Sequence, residues 1–139
     1  MFMMVDKTTK LNVKRKNNRR SGCPISIGLE SFGDKWTLLL IRDLISGAKR
    51  FKDFETGMEG IPTNILASRL KTLEEKGIIE KSLYQERPKR YEYKMLQKGW
   101  DMIPVLQEVA KWADKYCEDC SKPPALFWDL TPTSHLSKN

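Results

Sequence analysis
Between positions 63 and 71 the chain gathers Thr63, Asn64, Ser68, Arg69 and Lys71, polar side chains whose spacing suits contact with a duplex. On a helix, Thr63, Asn64, Ala67, Ser68 and Lys71 lie outward, while Leu66, Leu70 and Leu73 recur at i, i+4 and i+7 on the opposite face. An α-helix fits the major groove, where Asn64 can pair with adenine through two hydrogen bonds and Thr63 or Ser68 can reach base or phosphate. Arg69 suits a phosphate. In the plainer alternative, Thr63 only caps the helix and the others form a solvated face. Further cations stand at Lys49 and Arg50, before this helix, and at Arg87, Lys89 and Arg90, after it. Arg87, Lys89 and Arg90 suit backbone or minor-groove contacts, or else an ordinary charged turn. Lys49 and Arg50 suit phosphates, although Arg50 could equally form an internal ion pair.

The thiols offer a second chemistry. Cys23 precedes Pro24 at the expected start of a helix, with Arg19 and Arg20 close by in sequence. Helix-start amides and these cations would favour negative charge on its sulfur, the form that reacts with oxidants and electrophiles. Free cysteine is also often just a small apolar residue packed under a helix. Cys117 and Cys120 have the two-residue spacing of redox and metal sites, but one pair is half of a closed zinc site. Cys23 and His135 would complete it only after a distant rearrangement. No metal and no cofactor are therefore expected. His135 is the only histidine and lies in the tail, where it forms no catalytic dyad.

The elements that must position these groups follow from pattern. Pro24 suits a first helical turn, followed by the short apolar stripe Ile25, Leu29 and Phe32, with Gly33 as its stop. Asp34 is placed to cap the next helix, which runs past Trp36, Leu39, Leu40, Leu44 and Ile45 to Gly47. That helix is apolar around much of its circumference, so it and Trp36 are expected in the core. Phe51 and Phe54 suit a short helix burying one face. Gly57 and Gly60 mark a turn, and the next helix runs from near Pro62-Thr63 to Lys76, closed by Gly77. Two helices joined by a glycine-containing turn form a helix-turn-helix pattern. Ile78, Ile79, Leu83 and Tyr84 then fit a strand, residues 85–90 a basic proline-containing loop, and Tyr91 and Tyr93 a second strand. This hairpin is the expected wing. A last helix from about Lys98 to Cys117 carries Met102, Val105, Leu106, Val109, Trp112 and Tyr116 as one broad apolar stripe. It suits a partner helix, or packing within the chain. Pro104 is expected to kink or start it.

Composition sets the outer bounds. The chain has 139 residues, 40% hydrophobic and 31% charged, with a formal net charge of +7. That is enough for one domain with one core. The expected organisation is a disordered arm over 1–21, a folded domain over 22–120 and an irregular tail over 121–139. The arm carries Lys7, Lys10, Lys14, Arg15, Lys16, Arg19 and Arg20 against Asp6 alone, while the rest is nearly neutral. Such an arm suits a polyanion, or simply keeps the protein soluble. No apolar run approaches the ~20 residues that a membrane helix needs. The short apolar start is followed by charges rather than by a signal core, so the expected compartment is the cytoplasm. Three cysteines, an odd number, argue against a complete intrachain disulfide framework.

Taken in order, these residues resemble the HxlR-type regulators of the MarR-like superfamily. The resemblance rests on Cys23-Pro24-Ile25, Gly33-Asp34-Lys35-Trp36-Thr37, Gly47-Ala48-Lys49-Arg50-Phe51, Ile61-Pro62, Leu66, Arg69-Leu70 and Leu73–Gly77. It continues through Tyr84, Pro88, Arg90, Glu92-Tyr93, Gly99, Pro104-Val105-Leu106 and Trp112, and so covers about residues 22–115. The resemblance implies a mainly α fold with a small β-hairpin, a winged helix-turn-helix with terminal dimerisation helices. It implies a homodimer that binds double-stranded DNA without an enzymatic cofactor; the leading reading is a sequence-specific regulator that represses by occupying promoter DNA. Some members of the family respond to thiol-reactive compounds through a cysteine at the position of Cys23, so a thiol-reactive small molecule or oxidant is the inducer to which the resemblance points. The family often has Leu-Thr after the tyrosine-containing strand, with the threonine capping the last helix. Here Met95-Leu96 stands there, and Leu96 cannot cap by its side chain. Two rivals remain at this point: a thiol redox protein using Cys117 and Cys120, which lacks the expected βαβ setting, and a winged helix used only for protein interaction.

Overall fold
The computed structural model describes residues 20–137, and the side chains of residues 20–136. The expected disordered arm lies outside these, apart from Arg20 and Ser21. The chain divides into two compact units between Thr37 and Leu38.

In the first unit, helix α1 spans Pro24–Phe32, with Pro24 in its first turn and Cys23 at its N-cap. The Cys23 carbonyl accepts the Ile27 amide at 2.9 Å. Proline suits this position because the first amides of a helix have no intrahelical partner. None of the helix's residues is fully buried, and Ile25 and Leu29 are exposed. Asp34 then organises the start of helix α2, Thr37–Ile45. Its carboxylate accepts the amides of Trp36 and Thr37, each at 3.0 Å, and the Thr37 hydroxyl. Trp36 departs from the expected core position. It is half-buried, and the Lys35 ammonium lies 5.1 Å from its ring centroid.

The second unit holds the core. Leu40, Ile41 and Leu44 of α2, Phe54 of helix α3 (Phe51–Glu55) and Leu66, Leu70 and Leu73 of helix α4 (Thr63–Glu75) are all buried. Strand β1 (Ile79–Glu86) and strand β2 (Lys89–Met95) form an antiparallel hairpin. Ile78, Ile79, Met95 and Ile103 complete the core at its base. Gly77 takes φ +72° between α4 and β1, a left-handed conformation that glycine adopts without steric cost. The α3–α4 turn is tied back to α2 by Arg42, whose guanidinium bonds both carboxylate oxygens of Glu59, at 3.1 and 2.8 Å, and also pairs with Asp43. The Arg42 hydrogen bond holds the Glu59 carboxyl below its ordinary range.

Three further expectations change. The hairpin loop is shorter than 85–90: pairing runs to Glu86↔Lys89, leaving only Arg87 and Pro88 at the tip. The last helix is broken into α5 (Gln97–Trp100) and α6 (Ile103–Tyr116), and Pro104 falls in the first turn of α6. α5 is capped through the Leu96 carbonyl, which accepts the Gly99 and Trp100 amides. A Cβ on Gly99 would lie 2.3 Å from Met95 Cγ and 3.0 Å from the Ile78 carbonyl oxygen, so this close approach needs glycine. Finally, the tail contains a short helix, α7 (Ala125–Asp129), and a 3-10 turn, Ser134–Ser137. Gln107 of α6 donates to the carbonyls of Phe127 and Leu130, both at 2.9 Å, and the His135 ring stacks on Trp100 at 4.4 Å. His135 thus serves packing.

Candidate nucleic-acid interface
Helix α4 presents two chemically distinct faces. Leu66, Leu70 and Leu73 are at most 1% exposed, whereas Asn64, Ser68 and Lys71 are exposed on the other side. Thr63 is also exposed, and its hydroxyl donates to Glu55 at 3.1 Å, linking the start of α4 to α3. Pro62 holds the N-cap position, so Thr63 does not cap the helix as the simpler alternative required. Arg69 differs from its neighbours: it is half-buried and engaged within the chain.

The hairpin supplies a second group of cations. Arg87, Lys89 and Arg90 are exposed at and beside the tip. Register opposes Leu83 to Tyr91 and Gln85 to Arg90, which leaves Tyr84 as the extra residue of a β-bulge. The base of the hairpin is fixed to the loop before α3, since the Tyr93 amide donates to the Lys49 carbonyl at 2.6 Å. Lys49 and Arg50 approach Glu92 at 3.6 and 3.9 Å, and the Arg50 guanidinium lies 4.2 Å from the Tyr84 ring centroid. Both readings of Arg50 thus keep a basis: it has an internal acidic neighbour, yet its side chain remains 47% exposed. Asp53 accepts the amides of Lys49 and Arg50 at 3.0 and 2.9 Å, and these bonds lower the pKa of its carboxyl. Sequence reasoning missed Lys52, Tyr84 and Glu92 as parts of this neighbourhood. The family-like Lys49-Arg50-Phe51 run was the available signal.

The stripe expected to meet a partner divides along its length. Met102, Val105 and Leu106 are half-buried, while Val109, Trp112 and Tyr116 are 53%, 69% and 65% exposed. The Trp112 and Tyr116 rings stand 5.5 Å apart, one turn from each other.

The thiols fall into two settings. Cys23 is half-buried, and its amide donates to the Ser21 hydroxyl at 3.2 Å. It lines an open cleft of about 550 Å³ with Ile25, Leu29, Arg20 and Glu30. Cys117 is exposed, and its thiol donates to Asp119 at 3.2 Å, a bond that raises its pKa. That is the opposite of what a reactive thiolate needs. Among the described residues, no cluster of three or more metal-binding side chains surrounds the pair.

The outward polar face of a helix preceded by a short helix and a turn, and followed by a basic hairpin, is a winged helix-turn-helix arrangement. Residues 31–121 match the HxlR-like helix-turn-helix family. The chain belongs to that family. Its relatives include the helix-turn-helix-type transcriptional regulator YdeP of Bacillus subtilis, 31% identical over 81% of this chain and 88% of YdeP. The reduced form of the transcriptional regulator YodB from B. subtilis is similar in structure, with TM-score 0.59 and 35% identity over 71% of this chain and 98% of YodB. A diamide-treated YodB structure is similar as well, with TM-score 0.55 and 36% identity over 69% of this chain and 96% of that one. The redox regulator HypR in its reduced form has TM-score 0.63 and 27% identity over 68% of this chain and 94% of HypR. The HxlR-like chain described here is accordingly a DNA-binding helix-turn-helix regulator of transcription. Among its described residues, no helix is long and apolar enough to cross a membrane.

Proposed function
We propose that this regulator acts in the cytoplasm as a homodimeric repressor without enzymatic activity, laying α4 in the major groove of double-stranded DNA. Asn64, Ser68, Lys71 and Thr63 meet base edges and flanking phosphates, while Arg69 stays near the helix flank. Arg87, Lys89 and Arg90 carry the hairpin onto the backbone or into the minor groove. The observation that carries this reading is the division of α4 into a wholly buried apolar face and an exposed polar one at the same helical repeat. A partner copy covers Val109, Trp112 and Tyr116 together with Met102, Val105 and Leu106, because large apolar patches on isolated chains mark interaction surfaces. Repression follows from occupancy of promoter DNA.

The test begins by recovering genomic fragments that the protein retains. Asn64→Ala and Lys71→Ala are then titrated against such a fragment and against random duplex. Removing one side chain that bonds a base edge should weaken specific binding by ~1–3 kcal/mol. Wild-type affinity in both variants would refute the assigned reading face. Placing the fragment upstream of a reporter checks the sign of regulation, since repression requires expression to rise when the regulator is deleted.

Thiol regulation through Cys23 belongs to the same proposal. It is supported by the position of Cys23 at the N-cap of α1, within reach of the cleft, and by structural likeness to redox regulators. Mild diamide should abolish DNA binding reversibly in wild type and leave Cys23→Ser binding. If Cys117→Ser or Cys120→Ser removes the response instead, the sensing thiol belongs to the C-terminal pair.

A further inference from the structure
Beside the base-reading face lies a cleft of about 530 Å³ between α3 and the hairpin. Arg50, Lys52, Lys89 and Arg90 line it, with the rings of Tyr84 and Tyr91. It adjoins the start of α4, because Glu55 on its wall accepts the Thr63 hydroxyl. The carboxylates at this place are already engaged: Asp53 by two amides, Glu55 by Thr63 and Glu92 by Lys49 and Arg50. The lining holds the cations Arg50, Lys52, Lys89 and Arg90 against the carboxylates Asp53 and Glu55, so positive charge is in excess there. Arg50 is further constrained, since its guanidinium rests 4.2 Å from the Tyr84 ring centroid and its Nε lies 3.9 Å from Glu92. A guanidinium stacked on a ring keeps its N–H edge available for two-point donation to a phosphate and loses less freedom on binding.

We propose that this cleft is a backbone-phosphate site, in which Arg50 donates to one DNA phosphate, Lys52, Lys89 and Arg90 surround it, and the bulged Tyr84 is the positioning residue that holds Arg50. The proposal rests on the DNA-binding reading, which already sets Lys89 and Arg90 on the backbone, and adds to it Lys52 and the holding of Arg50 by Tyr84. It makes the bulge functional: without the extra residue at Tyr84, the strand pairing beyond Leu83 would change register.

The experiment measures affinity for a fluorescent duplex of random sequence as sodium chloride rises. Arg50→Ala should bind about tenfold more weakly and reduce the log–log salt slope by about one unit, as expected for one phosphate contact. Arg50→Lys should recover only part of this, because an ammonium lacks the planar fork. Tyr84→Ala should shift binding in the same direction, Tyr84→Phe should restore it, and Tyr84→Ala should add little once Arg50 is alanine. A purely structural tyrosine would weaken binding equally in both backgrounds. Lys52→Ala, at an exposed position, tests the cleft even if the Tyr84→Ala hairpin does not fold. An unchanged slope in Arg50→Ala and Lys52→Ala overturns the phosphate site. If Asn64→Ala still weakens binding to a retained genomic fragment in that case, the DNA reading survives without the site. If wild type binds no duplex, both fall.

Discussion
Helices α4 and α6 are both amphipathic and similar in length, yet their outward faces differ in kind. α4 buries Leu66, Leu70 and Leu73 and presents Asn64, Ser68 and Lys71. α6 buries Ile103 and presents Val109, Trp112 and Tyr116. A polar outward face can stand in water until a polar ligand arrives. An apolar one leaves large side chains hydrated, which association would relieve. One helix is thereby suited to a nucleic acid and the other, under the proposed dimer, to a second copy of the chain.

The sharpest contrast comes from truncating the buried face of one helix and charging the exposed face of the other. Leu70→Ala should destabilise the fold by ~2–5 kcal/mol, seen as a lower midpoint in denaturant, because it leaves a cavity in a close-packed core. A change below ~1 kcal/mol would mean that α4 is not anchored as described. Trp112→Glu should leave that midpoint nearly unchanged but weaken self-association by ~2 kcal/mol or more, read by sedimentation as a shift from twice the chain mass toward one. If the variant instead unfolds, Trp112 serves the chain's own packing.

Smaller effects probe how the helices are started. Asp34→Ala should cost ~1 kcal/mol, since the amides of Trp36 and Thr37 lose their common acceptor. Asp53 gives the smallest effect and a distinctive pH dependence. Its folded-state pKa is lowered, so its contribution is present above the ordinary carboxylate range and fades as pH falls through the depressed value. Asp53→Asn should therefore be less stable than wild type near pH 7, with the gap closing in acid. A gap that widens in acid would contradict the assignment.

How much of this was legible in the residues depends on range. The buried row of α4, the cap at Asp34 and the turn at Gly77 follow from local spacing and backbone preference, and all appear where expected. The break between α5 and α6 does not. Pro104 announces a helix start, but the separate turn before it depends on Gly99 meeting Met95 and Ile78, a tertiary contact. Strand alternation likewise gave no sign of the Tyr84 bulge, so the loop appeared longer and the Arg50–Tyr84 stack went unseen. Among the candidate contacts, Asn64, Ser68 and Lys71 were readable because exposure follows helical period. Lys52 was not, since its neighbours come from a hairpin more than 30 positions away.

The central claim is that paired copies of α4 read one duplex, and a hydroxyl-radical footprint on a retained genomic fragment tests it most directly. Two protected tracts should appear with centres about 10–10.5 base pairs apart, or a multiple of that, on one side of the duplex. Asn64→Ala should remove both tracts together. A single isolated tract, or protection that ignores sequence and survives Asn64→Ala, would contradict the account.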